Sequence, residues 1–188
     1  MEDRIEAING GFDSFSFRSK LYKRISNLLA NAVSVDEGMD EAISLIGNSL
    51  NASRVYIFEK IPEKEDLCLK TFEWCAEGEV SEMPHYETIY YEGYGYNTIF
   101  KESRYFCCED SASLEGPTRQ FLEEKGIKAM MNYAFYDNGQ FAGFVGIDDC
   151  EHTHPVWLKG QEVQEMLSFL ADLLTMFLIK ERNLQKAR

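Results

Sequence analysis

The sequence is poor in basic residues. It contains 19 Lys and Arg residues against 32 Asp and Glu residues, so its formal net charge is −13. Proteins that bind nucleic acids or anionic membrane surfaces use clustered Lys and Arg side chains. The charge balance therefore argues against both kinds of partner. It remains compatible with a small anionic ligand in a local pocket.

Long hydrophobic runs are also missing. The longest apolar stretch, residues 169–179, contains Asp172 and is shorter than the ~20 residues that a transmembrane helix needs. Residues 1–6 show no basic segment leading into an apolar one, which a signal peptide would have. We therefore expect a cytoplasmic protein that does not interact with membranes.

Cysteine patterns typical of disulfide frameworks are absent as well. No C-x-x-C motif occurs, and the number of cysteines is odd, so we expect reduced thiols rather than a disulfide framework. The five cysteines are Cys68, Cys75, Cys107, Cys108 and Cys150. Cys150, His152 and His154 form C-x-H-x-H, but no fourth metal ligand is evident, so this segment is interpreted as a solvated loop without metal.

Helical patterns are present near the start of the chain. Apolar residues at helical spacing from Leu21 to Val33 predict a first helix that begins near Ser19. Ser34 and Glu37 form a capping-box pattern, which predicts the start of a second helix through residues 39–50. A last long helix is predicted from about Leu158 to the end of the chain.

Strand patterns lie between these helices. Residues 54–59 and 67–75 predict one hairpin, residues 104–108 a third strand, and residues 129–149 a second hairpin around Asn138-Gly139. Residues 76–96 lack periodicity and predict a loop rich in tyrosine, and Pro117 predicts a helix start. Consecutive hairpins without regular βαβ alternation indicate an α+β fold with an antiparallel sheet.

Three segments in this order resemble the GAF domain family. They are residues 71–78 (TFEWCAEG), 125–128 (KGIK) and 143–150 (GFVGIDDC), followed by Trp157 and an apolar helix. They are similar to GAF domains of bacterial sensory proteins that precede a GGDEF diguanylate cyclase or a histidine kinase. The resemblance implies a central antiparallel sheet of five or six strands, with terminal helices on one face and a loop and short helices over a pocket on the other.

The resemblance also implies the domain limits and the function. Residues 19–182 would form the GAF sensor, residues 1–18 an N-terminal extension, and residues 183–188 the start of a helical linker to an output domain. The expected function is non-catalytic sensing of a small molecule, relayed to an output domain, with a diguanylate cyclase expected there. The resemblance identifies neither a ligand nor a cofactor.

Six residues are the candidates for ligand binding: Trp74, Tyr94, Tyr96, Phe106, Tyr133 and Asp148. Tyrosine suits a pocket because it combines flat apolar area with a hydrogen-bonding tip. These candidates also have interpretations that involve no ligand. Trp74 can simply belong to the core, the loop tyrosines can pack on the edge of the sheet, and Asp148-Asp149 can be turn residues. Glu73 alternates with Trp74, and if it pointed into the pocket it would be a buried carboxylate that needs a partner.

The last helix predicts a homodimer. It carries a first apolar stripe that includes Leu167, Leu170 and Leu174. A second stripe includes Met166, Phe169 and Met176. One stripe suffices to cover a sheet, so the second is interpreted as a contact with a partner helix, with a single wide buried face as the alternative. Two other functions stay open: a thiol-based reductase built on the same fold, for which Cys107-Cys108 are the motive, and a degenerate GAF domain that only dimerises.

Overall fold

The computed structural model describes residues 15–64, 66–81, 88–90, 95, 99–100, 103–153, 155, 158 and 161–187. Within these residues the chain forms four α-helices, six β-strands and one 3-10 helix. In chain order they are α1 (Phe15–Asn31), α2 (Val35–Leu50), β1 (Arg54–Lys60), β2 (Leu67–Cys75), β3 (Thr88–Tyr90), β4 (Tyr105–Cys108), the 3-10 helix (Ser111–Ser113), α3 (Gly116–Glu124), β5 (Ala129–Asp137), β6 (Gln140–Asp149) and α4 (Gln161–Lys186).

The six strands form one antiparallel sheet in the order β3-β2-β1-β6-β5-β4. The predicted α+β class, with an antiparallel sheet of five or six strands, is therefore confirmed. One element differs, because β3 lies where the sequence predicts only loop. It is three residues long and pairs with Leu67, Cys68 and Leu69 of β2. A strand this short shows no measurable alternation in the sequence.

The predicted hairpin at residues 129–149 is formed by β5 and β6. Asn138 and Gly139 connect the strands, and their φ angles are 49° and 79°. Two consecutive positive φ angles fit the type I′ turn, whose twist matches that of the flanking strands. Next to the turn Asp137 pairs with Gln140 and Tyr136 with Phe141, and a bulge at Ala142 then shifts the register by one residue, so that Ala129 pairs with Asp149.

The helices α1, α2 and α4 cover one side of the sheet, which we call the inner face. Ser34 caps α2 as predicted, because its Oγ accepts a hydrogen bond from the Glu37 backbone N–H at 3.1 Å. The inner core combines apolar residues of all three helices with strand residues such as Val55, Ile57 and Ile147. The helix α3 and the strand β3 contribute to the opposite side, the outer face.

α4 combines a wide buried face with an exposed apolar row. Met166, which the sequence assigns to the second stripe, is completely buried with Leu167, Leu170 and Leu174. Phe169 and Met176 remain 45% and 69% exposed. The exposed apolar surface of α4 is therefore narrower than a full second stripe.

The helices extend past the predicted domain limits. α1 includes residues 15–18, and α4 continues without a break from residue 182 to Lys186. The limits at 18 and 182 stay predictions. None of the helices within the described residues is long and apolar enough to span a membrane.

Trp74 lies on the inner face, where its indole packs on Gly47 of α2. A Cβ atom at Gly47 would overlap the ring. We expect Gly47→Ala to lower the free energy of unfolding by about 1–3 kcal/mol, because overpacking outweighs the helix propensity that Ala adds. Urea unfolding of both proteins measures this difference. In a Trp74→Leu background the same change should become neutral or stabilising, and an equal loss in both backgrounds would contradict the contact.

Candidate functional site

The outer face carries a buried polar group on three neighbouring strands. Tyr56 of β1 donates a hydrogen bond from its hydroxyl to Asp148 Oδ1 of β6 at 2.9 Å. The same hydroxyl lies 3.2 Å from Oδ1 of Asn132 on β5. A hydroxyl group has one proton, so it donates one hydrogen bond, and the Asp148 carboxylate accepts it. The Asn132 amide can turn by about 180° so that its N–H group donates to the tyrosine oxygen. All three side chains are buried.

Gly146 makes this arrangement possible. It pairs with Tyr56 on one side and with Asn132 on the other. A Cβ atom at Gly146 would overlap the Tyr56 ring. The ring therefore lies across the bare backbone of β6, and its hydroxyl reaches both neighbouring polar groups.

Arg54 forms an ion pair with Asp148 at the end of β1. The two residues are directly opposite in register, and Arg54 Nε lies 3.6 Å from Asp148 Oδ2. Their side chains are only 7% and 2% exposed. Arg54 Nη2 also donates to the backbone oxygen of Lys125 at 3.0 Å and to Cys150 Sγ at 2.9 Å. Arg54 thereby binds the residue that follows α3.

Lys70 and Glu73 form a second buried ion pair on β2. Lys70 Nζ lies 2.7 Å from Glu73 Oε1, and the side chains are 4% and 0% exposed. Residues three apart normally face opposite sides of a strand, but a register shift opposite Ile57 and Phe58 leaves Thr71 as an extra residue. Ser81 Oγ donates to the other carboxylate oxygen at 2.7 Å. Glu73 is therefore a buried carboxylate with partners, which is what the sequence predicts if this side chain points away from the side of Trp74.

Aromatic rings surround the ammonium group of Lys70. Its Nζ lies 5.4 Å from the ring centroids of both Tyr56 and Phe58, within the range of cation–π attraction. Phe58 stacks on Phe144 of β6 with centroids 4.9 Å apart. The buried cation is therefore held between a carboxylate and aromatic faces.

A small cavity lies between these groups and α3. Arg54, Lys70 and Asp148 line it, and its volume is about 20 Å³, enough for one water molecule. Its cover includes Phe121 of α3 and Ile89 of β3. Pockets that hold small ligands commonly measure about 300–1,000 Å³. A ligand could enter only if the cover moved away from the sheet.

The six predicted ligand residues do not come together. Phe106 and Asp148 lie on the outer face, whereas Trp74 and Tyr133 pack on the inner face. Tyr94 and Tyr96 lie outside the described residues. Ligand contact by any of the six stays a prediction, and the separation of Trp74 and Tyr133 from Asp148 by the sheet argues against one site containing all of them.

Asp148 and Asp149 have different roles. Asp149 Oδ1 accepts hydrogen bonds from the backbone N–H groups of Glu151 and His152, so the turn interpretation fits Asp149. Asp148 instead belongs to the buried polar group. His152 is exposed, and the described residues contain no cluster of His, Cys, Asp and Glu that could hold a metal ion.

Sequence reasoning missed Arg54, Tyr56, Lys70 and Asn132. Two features of the sequence could have indicated them. A glycine inside an apolar strand, such as Gly146, often marks the close approach of a neighbouring group. Lys70 is a charged residue inside a mostly apolar strand, and such a residue needs a partner if it is buried.

Comparison with known proteins gives one relative by sequence and several by structure. No protein-family model matches the chain. The methanogenesis regulatory histidine kinase FilI of Methanothrix harundinacea (strain 6Ac) is 27% identical over 151 residues. The match covers 72% of the chain but only 16% of the kinase, so the chain corresponds to a small part of that protein.

The structural neighbours include photoreceptor domains and an enzyme. The phycocyanobilin-bound GAF domain of a cyanobacterial phytochrome superposes with a TM-score of 0.73 at 11% identity, covering 87% of this chain and 94% of that domain. The chain has the GAF fold. The free methionine-R-sulfoxide reductase of Neisseria meningitidis superposes with a TM-score of 0.67 at 10% identity, covering 89% and 92% of the two chains.

These comparisons confirm the resemblance to GAF domains of sensory proteins. The photoreceptor domain supports the fold, and the kinase is one of the two protein types in which the sequence resemblance places such a domain. The reductase shows that enzymes share the fold, so fold alone does not decide between sensing and catalysis.

The thiols of this chain are poorly suited to redox catalysis. Cys107 packs towards the inner core and Cys108 towards the outer face, as their alternation predicts. Burial raises the pKa of Cys68 to about 12 and those of Cys75, Cys107 and Cys150 to about 11. Since the thiolate is the nucleophile, these shifts disfavour the reductase alternative.

We expect slow alkylation of the folded protein by iodoacetamide at pH 8. A thiol whose pKa is about 11 contains ~100-fold less thiolate than an ordinary cysteine at this pH. Mass spectrometry should therefore show rapid labelling only in denaturant, and labelling of the folded protein should accelerate as the pH rises. Fast labelling of one folded cysteine, or a specific disulfide after mild peroxide, would favour the reductase.

Proposed function

We propose that the chain is a GAF sensor domain that binds a small molecule on the outer face and relays occupancy to an output domain. The buried ion pairs Arg54–Asp148 and Lys70–Glu73 are the main support. Buried charges are costly and are poor devices for stability alone. Clusters of charged and hydrogen-bonding groups around a cavity are typical of binding sites.

The strand β1 offers a physical route for the relay. It carries Arg54 and Tyr56 near its start and Glu59 near its end. Glu59 accepts hydrogen bonds from Arg182 of α4, at 3.0 Å from Nη2 and 3.3 Å from Nε. In the proposed mechanism, displacement of β1 by a ligand shifts this ion pair and hence α4.

The output domain is proposed to be a signalling enzyme outside this chain. The sequence resemblance favours a diguanylate cyclase, whereas the curated relative is a histidine kinase. Because the chain corresponds to 16% of that kinase, most of the relative lies outside the match. We therefore assign catalysis to the output domain and only sensing to this one.

A homodimer through α4 is part of the proposal. A groove of about 370 Å³ runs between α1 and α4, and Leu173, Met176 and Phe177 are among its lining residues. Val33, which is 89% exposed, lies at the same groove. Exposed apolar residues grouped in this way favour contact with a second copy.

We expect Met176→Glu to convert a dimer to a monomer, because it places a charge on the apolar row of α4. Light scattering at micromolar concentration measures the mass. Val80→Glu is the matched control, since Val80 is 78% exposed and belongs to the segment after β2. A monomeric unmodified chain, or equal effects of both variants, would contradict the dimer.

A second function is favoured by the size of the cavity. Aromatic side chains such as Phe58, Phe100 and Phe144 fill much of the outer face among the described residues, and the cavity that Arg54, Lys70 and Asp148 line measures about 20 Å³. This packing fits a degenerate GAF domain that dimerises and spaces other domains. It differs from the sensor in one respect, because it needs no ligand.

Native mass spectrometry of the purified chain separates the two functions. For the sensor we expect a copurified small molecule that is retained by Tyr105→Phe, the exposed matched control, and lost or reduced about tenfold by Tyr56→Phe, which removes the hydroxyl from the buried polar group. Circular dichroism checks that both variants fold. A chain without any bound compound, whose melting temperature responds to no member of a metabolite library, would favour the spacer.

A further inference from the structure

We infer that the outer-face site takes a small organic carboxylate with a flat apolar body, an inference that rests on the proposed sensing function. Two cationic side chains, Arg54 and Lys70, line the same small cavity from neighbouring strands. Both are more than nine-tenths buried. Each is paired with a carboxylate of the protein, Arg54 with Asp148 and Lys70 with Glu73. The cavity lining itself nevertheless has three cationic residues, Arg54, Lys70 and Lys125, against one carboxylate, Asp148.

Arg54 provides the anchor for the carboxylate. Its Nη2 atom donates to two neutral acceptors, the Lys125 carbonyl and the sulfur of Cys150. Sulfur is a weak acceptor, whereas a carboxylate can accept two parallel hydrogen bonds from a guanidinium group. Such charge-assisted bonds are roughly twice as strong as neutral ones. Exchange of these acceptors for a ligand carboxylate is therefore favourable.

The same exchange opens the site. The hydrogen bond from Arg54 to Lys125 fastens the end of α3 over the cavity, and Phe121 of α3 belongs to the cover. When a ligand carboxylate replaces the Lys125 carbonyl as the acceptor for Arg54, this hydrogen bond is lost and α3 can move outward. The carboxylate thus creates the space that the present cavity lacks.

Aromatic rings form the floor for the rest of the ligand. Phe58 and Phe144 are stacked, and the Tyr56 ring meets Phe58 edge-on with centroids 5.6 Å apart. A flat apolar body can pack on such faces. Asp148 already accepts a hydrogen bond from Tyr56 and pairs with Arg54, so its charge is compensated within the protein. A ligand ammonium group is therefore not required.

Titration with four matched probes tests the class of ligand. They are phenylacetate, its neutral amide phenylacetamide, the amine phenethylamine and the zwitterion phenylalanine. Nuclear magnetic resonance of the ¹⁵N-labelled chain reports binding and its location. We expect phenylacetate to bind at millimolar concentration, to shift the amides of β1 and α3, and to bind at least about tenfold more tightly than the amide. Equal or tighter binding of the amide, amine or zwitterion would overturn the carboxylate.

Variants of the cations test the site itself. Arg54→Lys keeps the charge but loses the bidentate fork, so phenylacetate should bind about tenfold more weakly. Lys70→Met combined with Glu73→Gln removes both charges of the pair without leaving one unpaired, and should also weaken binding. Arg104→Lys is the control, because Arg104 is exposed and lies over Tyr133 on the inner face. Unchanged affinity in the first two variants would overturn the site.

The identity of a copurified compound tests the sensing function and the class of ligand separately. A carboxylate in the native mass spectrum of the unmodified chain supports both sensing and the ligand class. A bound neutral or cationic compound supports sensing and overturns the carboxylate. Absence of a compound together with no response to the four probes overturns the carboxylate, and sensing is overturned as well if no member of the metabolite library changes the melting temperature.

Discussion

The hydrogen bond from Tyr56 to Asp148, made across the bare backbone of Gly146, is the contact on which the outer face depends. It joins the central strands β1 and β6, and Asn132 extends it to β5. Asp148 is then placed opposite Arg54, which in turn holds the end of α3. A side chain at Gly146 would displace the Tyr56 ring and separate these groups. One glycine therefore determines whether the sheet has a polar centre.

Through Arg54, this polar centre is connected to the cover of the cavity. Arg54 contacts both the carboxylate of Asp148 and the residue after α3, so the electrostatics of the site and the position of α3 are linked. Lys70 and Glu73 add a second pair on the neighbouring strand. In the proposed sensor, a ligand that competes for these cations necessarily alters the packing of α3. At the other end of β1, the Glu59–Arg182 pair connects the same strand to α4.

Much of the fold could be predicted, because it follows from local patterns. Asn138-Gly139 predicts a turn with two positive φ angles, and Ser34 predicts a helix cap, and both are present. The strand β3 was not predictable, since its three residues are defined only by pairing with β2. The candidate site was predictable in part. Asp148 was among the expected ligand residues, but Trp74 and Tyr133 lie on the inner face, because alternation assigns relative sides of a strand and not the side that the helices cover.

The sequence alone determined the periodicity of the helices and strands, the hairpin turn and the acidic charge balance, since each depends on composition or on residues close together in the chain. The tertiary structure decided which cation meets which carboxylate and how much space remains between them. Tyr56 and Asp148 are 92 positions apart, and Arg54 reaches Lys125 across 71. The bulge at Thr71, which brings Lys70 and Glu73 to one face, exists only in the register with β1. Contacts of this kind arise from packing, which no short segment specifies by itself.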